Sequence, residues 1–149
     1  MKSEGVKSEE LHWAYLGLGS NLGDREEHIR KAIALIGEKI GLVIRQSSLI
    51  ETEPWGFDSE NMFLNGVILV ETSLTPRQLL KATQKIEREI GKTKVHATRR
   101  KNASLYKDRP IDIDILLYDD LTVDEPDLKI PHPLMQQRDF VMIPLKEIQ

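Results

Sequence analysis

The sequence predicts an α+β fold, a ferredoxin-like split βαβ (β-α-β-β-α-β in chain order), with an antiparallel four-stranded core sheet and C-terminal additions. Three observations lead there. Two segments repeat apolar residues at helical spacing, four others read as strands, and they alternate as strand, helix, strand, strand, helix, strand. With 149 residues, 40% of them hydrophobic, the chain can build one proper core but not two ordinary domains.

The opening MKSEGVKSEE is small and charged, so residues 1–11 are expected to form a flexible tail and 12–149 the domain. HWAYLGLGS, from His12, is a short aromatic and apolar run suited to a strand buried on both faces. Asp24 then caps a helix with acids in its first turn and Ile29, Ile33, Ile36 and Ile40 as its stripe, before Gly41. LVIRQSSLIETEP reads as one β-branched strand ended by Pro54. The next strand, MFLNGVILVET, alternates Phe63, Asn65, Val67 and Leu69 against Met62, Leu64, Ile68 and Val70, which leaves Asn65 in apolar company. Thr75 and Pro76 open a second helix with Leu79, Thr83, Ile86 and Ile90 facing inward, and Gly91 stops it. A long basic loop follows, then the strand RPIDIDILLY, and a Pro-punctuated tail from Leu121 expected to wrap the sheet edge. The two helices should cover one sheet face and leave the other for ligands.

A net charge of −3 argues against a whole-surface nucleic-acid binder. The absence of cysteine excludes disulfides and thiolate metal sites and fits a reducing compartment, so the cytoplasm is the expected location. Apolar runs fall short of the roughly 18 residues of a membrane span.

Strand alternation puts Asp112 and Asp114 on one side, and Ile111, Ile113, Ile115 and Leu117 on the other. Side-by-side carboxylates repel or take up a proton unless a hard cation lies between them. A lone pair of this kind can equally face solvent, but its neighbours argue otherwise. From Lys92 to Arg109 stand seven Lys or Arg and one acid; from Asp112 to Asp127 stand seven acids and no base. A cationic loop leading into paired carboxylates suits a polyphosphate with Mg²⁺, with ATP the natural candidate. Gln84 and Glu87 are stacked one turn apart beside the second helix's stripe, to meet either a nucleotide or solvent. His132, between two prolines, is either a packed histidine or a phosphate donor. GLGSNLGD fits neither nucleotide-binding glycine motif and reads as a tight strand-to-helix turn. Asp119 and Asp120 read as solvated turn residues.

AYLGLGSNLGD, FLNGVILVET, RPIDIDILLY and IPHPLMQQRDF, in this order, resemble the 6-hydroxymethyl-7,8-dihydropterin pyrophosphokinase family over nearly the whole chain from Tyr15. The resemblance implies transfer of pyrophosphate from ATP to a pterin alcohol, with release of AMP, in folate biosynthesis. It implies Asp112 and Asp114 as ligands of two Mg²⁺ ions, and Arg109 and Arg138 as catalytic cations. Gln84, Glu87, Lys92, Lys94, Ile115 and His132 would hold ATP. Thr52, Trp55, Phe63, Asn65 and Phe140 would hold the pterin, with Asn65 reading its polar edge between the two phenylalanine rings. No general base stands out, so positioning and metal activation are expected to carry the rate. The segments 55–61 and 92–107 are the expected movers. The end soon after PLKEI suggests a single activity, and a monomer or weak homo-oligomer is expected. Two other readings stay open: a two-metal nucleotidyl transferase or cyclase-like enzyme, and a non-catalytic ligand-sensing domain of the same architecture.

Overall fold

A computed structural model describes residues 10–53, 61–91 and 109–149. The chain runs β1 (His12–Ser20), α1 (Arg25–Lys39), β2 (Gly41–Gln46), β3 (Ile50–Thr52), β4 (Phe63–Thr72), α2 (Pro76–Gly91), β5 (Asp112–Tyr118), β6 (Val123–Glu125), β7 (Leu128–Ile130), a 3₁₀ turn (Met135–Gln137) and α3 (Asp139–Ile148). The fold mixes helices with a main sheet that is antiparallel at every pairing, in the order β2-β4-β1-β5, with β3 also on β4.

Local chemistry sets the helix starts as expected. The Asp24 side chain accepts from the Glu27 N–H at 3.2 Å, one of the donors a helix start leaves unpaired. At α2 the pairing is reciprocal: Gln78 N–H donates to Thr75 Oγ1, and the Gln78 side chain accepts from Thr75 N–H, a capping box. Leu79, Thr83, Ile86 and Ile90 are all buried. Where α1 turns into β2, a Cβ on Gly41 would lie 2.1 Å from the Glu71 carbonyl oxygen, so only glycine lets the backbones meet there.

Several expectations are corrected. The second strand is two, β2 and β3, because the chain breaks at Ser47. The Ser47 N–H donates to Val67 O, and its hydroxyl accepts from Val67 N–H, replacing a ladder rung with a side chain. Leu117 does not join the isoleucine side. The β1–β5 register shifts between Tyr15 and Leu16, so Leu116 and Leu117 both pack on the opposite face while Tyr118 returns to the helix side. The second face is not free. Val67, Leu69 and Leu116 on the sheet are covered by Met135, Val141, Leu145 and Ile148, so the tail forms a second small core where an edge wrap was expected. The hairpin β6–β7 fits the edge role better: Leu128 and Ile130 join the main core with α1 and α2, and Arg77 of α2 holds Glu125 and Asp127.

Asp119 is more than a solvated turn residue. It adopts φ 51°, and its carboxylate accepts from Trp13 N–H at 2.8 Å and pairs with His12 Nδ1 at 2.7 Å, pinning the start of β1 to the end of β5. Among the described residues no helix is long and apolar enough to cross a membrane.

Candidate active site

The part of the second face that α3 leaves open has a floor of glycine. Gly19 pairs with Asn65 of β4 on one side and Asp112 of β5 on the other, and Gly17 pairs likewise with Val67 and Asp114. Paired residues of antiparallel strands point the same way, so β1 offers no side chain between β4 and β5, and a trough roughly 10 Å wide results. A Cβ on Gly19 would meet Asn65 Oδ1 at 2.8 Å and Phe63 Cδ1 at 3.5 Å. One wall is therefore Phe63 and the buried Asn65, whose Nδ2 donates to Thr52 Oγ1 at 2.7 Å. This bond fixes the carboxamide with Oδ1 toward Gly19.

The other wall is charged. Asp112 and Asp114 do share a side, and Arg109 Nη1 donates to Asp112 Oδ1 at 3.0 Å. Glu87, half-buried on α2, accepts the Ile113 N–H at 2.7 Å with Oε2, satisfying an edge amide of β5 that has no neighbouring strand among the described residues. Three carboxylates thus crowd one end of β5. Burial, then repulsion from Asp112 and Glu87, pushes Asp114 up to about 8 despite the nearby Arg138 and Arg109 cations. Burial raises Glu87 to about 7, with Asp112 adding to the rise and the Ile113 N–H and Arg109 opposing it.

His132 N–H donates to Leu116 O at 3.0 Å, and its Nδ1 accepts from Leu134 N–H at 3.3 Å, which leaves the ring proton on Nε2. Burial and then the Arg138 cation hold it below the usual imidazole range, so the ring is a neutral donor beside the acids. Arg138, buried at the start of α3, lies 5.5 Å from the Phe140 ring centre, linking the charged wall to an aromatic one.

Of the residues expected at the site, the structure gathers Asp112, Asp114, Glu87, Arg109, Arg138 and His132 at one wall and Thr52, Phe63 and Asn65 at the other, with Phe140 on the same face. Gln84 is exposed on α2. The Ile115 side chain is buried in the helix-side core, so only its main chain, on the outer edge of β5, can reach a nucleotide. Trp55, Lys92 and Lys94, and most of the expected moving segments, lie outside the described residues. Sequence reasoning missed Gly17 and Gly19, taken for turn glycines, although their alternation within a strand was the available signal. It also missed Asn21, for which one sequence carries no signal. A separate cavity of about 140 Å³, lined by Ile29, Ile33, Leu49 and Ile68, lies under α1 and is not part of this trough.

Comparison with known proteins points to one family. Residues 15–149 match the family model described as 7,8-dihydro-6-hydroxymethylpterin-pyrophosphokinase. Proteins named 2-amino-4-hydroxy-6-hydroxymethyldihydropteridine pyrophosphokinase are 46% identical in Porphyromonas gingivalis (90% of this chain, 88% of that one) and 43% in Aquifex aeolicus (91% and 79%). The Bacillus subtilis protein of that name is 40% identical (91% and 77%). Among solved structures, wild-type Plasmodium falciparum HPPK-DHPS with STZ-DHP superposes with a TM-score of 0.72 at 16% identity over 95% of this chain, a likeness of fold. The chain spans about two fifths of that structure's length, 40%. Neither the nucleotidyl transferase reading nor the sensor reading gains support from these matches. With its motifs in order and the family model covering all but the first residues, the chain belongs to the 7,8-dihydro-6-hydroxymethylpterin pyrophosphokinase family.

Proposed function

We propose that this chain transfers the terminal pyrophosphate of ATP to 6-hydroxymethyl-7,8-dihydropterin, releasing AMP, a step of folate biosynthesis. The observation that carries the reading is the trough itself: a buried carboxamide and aromatic wall faces paired aspartates with two arginines across a side-chain-free floor. A flat heterocycle with a polar edge suits the first wall, and a polyphosphate suits the second. The strand order, with β4 between β1 and β2, supports reading the sheet as a ferredoxin-like split βαβ.

The carboxylates suit Mg²⁺. Among the described residues no cluster of three His, Cys, Asp or Glu side chains forms a closed cage, and Mg²⁺ characteristically takes one or two carboxylates plus phosphate oxygens and water. The crowding that raises Asp114 is relieved by a cation, and the family resemblance implies that Asp112 and Asp114 would hold two ions. Held there by Asp112 and Asp114, Mg²⁺ would supply charge neutralisation at phosphate oxygens and would favour ionisation of a nearby hydroxyl.

The chain's own groups do the rest. Thr52 orients Asn65 so that its carboxamide reads the pterin edge, while Phe63 and Phe140 stack on the ring. Arg109 and Arg138 stabilise the negative charge on the transferred group, and His132 donates from Nε2 to a phosphate oxygen. Gln84, Glu87 and the Ile115 main chain complete the nucleotide side, with Lys92 and Lys94 supplying further cations. Proximity and charge stabilisation, without a general base, account for the rate.

Incubation with Mg²⁺, ATP and the pterin alcohol should yield AMP and a pterin diphosphate. ADP, or pyrophosphate without a pterin product, would refute the assignment. Asp112→Ala and Asp114→Ala should each lower turnover by about a hundredfold or more with the fold intact. Near-normal turnover in either variant contradicts the metal assignment.

A further inference from the structure

We propose that Asn21 is a positioning residue that sets the spacing between the two walls of the trough. It follows β1 directly and is 2% exposed. Its Oδ1 accepts from Arg109 N–H at 2.8 Å, and its own N–H donates to Arg109 O at 3.1 Å. Its Nδ2 donates to Asn61 O at 3.3 Å. One planar carboxamide therefore grips two chain segments far apart in sequence. Arg109 stands three residues before Asp112 and pairs with it, so fixing its backbone fixes the guanidinium at the charged wall. Asn61 stands two residues before Phe63 and four before Asn65, so fixing its carbonyl sets where β4 and the aromatic wall begin. A side chain that offers an acceptor and a donor from one rigid plane is needed, and only asparagine does so at this length. Between the walls lies the distance from the pterin hydroxyl to the phosphate, and an error of about 1 Å there can cost on the order of a hundredfold in rate.

The inference rests on the proposed reaction, and two variants separate it from that reading. Asn21→Asp keeps the acceptor for Arg109 N–H and loses the donor to Asn61. It should raise the pterin KM about tenfold and leave the ATP KM within about twofold. Asn21→Ala loses both bonds and should lower kcat by about thirtyfold and raise both KM values. Circular dichroism and the melting temperature confirm that the variants are folded at the assay temperature. The inference is overturned if Asn21→Ala keeps all three constants within about twofold, or if Asn21→Asp raises both KM values equally. It is also overturned if both variants fail to fold, which would make Asn21 a structural residue. If the wild type releases no AMP, the reaction is at fault. The spacing is then read from separate dissociation constants for the pterin and a non-hydrolysable ATP analogue, with the same expected split.

Discussion

Gly19→Ala tests the trough directly. The new Cβ would stand 2.8 Å from Asn65 Oδ1, where ordinary carbon–oxygen contact begins near 3.4 Å, so the carboxamide must retreat by about 0.6 Å or rotate. Its movement is restrained, because Nδ2 is held by Thr52 Oγ1 at 2.7 Å. Rotation breaks that bond and leaves a buried amide partly unpaired, a loss of about 1–3 kcal/mol. If this loss falls on the pterin-reading edge, the pterin dissociation constant rises by roughly 5- to 150-fold. Nucleotide affinity should change by less than about twofold, since the phosphate wall is untouched. Titration of each ligand separately by fluorescence or calorimetry reads both. Gly17→Ala is the control for the fold: its Cβ would meet the Leu116 side chain at 3.5 Å, an ordinary contact, so the melting temperature should hold. Unchanged pterin affinity in Gly19→Ala would refute the assignment of Asn65 as the wall that reads the substrate.

Other predictions follow from charge. Glu87 and Asp114 have folded values raised to about 7 and about 8, so without metal the folded state keeps protons that the unfolded chain has lost. Stability should therefore fall as pH rises from the ordinary carboxylate range to about 8, and Mg²⁺ should raise the melting temperature more at pH 8 than at pH 6, by on the order of 5 °C. An equal Mg²⁺ effect at both pH values would count against binding at these carboxylates. Asp119→Ala removes acceptors for Trp13 N–H and His12 and should cost about 1 kcal/mol in urea unfolding. Burial raises Asp119, but the Trp13 N–H and His12 outweigh it and hold it below the usual range. The difference from wild type should therefore be full near neutrality and shrink as acid protonates the folded carboxylate; persistence in strong acid would show that backbone strain, not these bonds, is at issue.

The short-range features were written in the sequence because local chemistry decides them. Helix caps at Asp24 and Thr75, the inward stripes, and the shared side of Asp112 and Asp114 follow from side chains a few residues apart and from the two periods of regular structure. The family was equally legible, since its motifs lie in order along the chain. Tertiary contact decided what those periods cannot express. The extra residue at Leu116 moved Leu117 to the other face, a choice made by pairing with β1 and invisible in β5 alone. The apolar tail from Met135 to Ile148 could have wrapped an edge, yet Val67, Leu69 and Leu116 offered it a second core to bury. Gly17 and Gly19 became the floor of a site only because Asp112 and Asn65 were brought to either side of them, and Asn21 acquired its role only where Asn61 and Arg109 meet it. A sequence records which groups are available; the distance across a trough exists only once strands from opposite ends of the chain lie side by side.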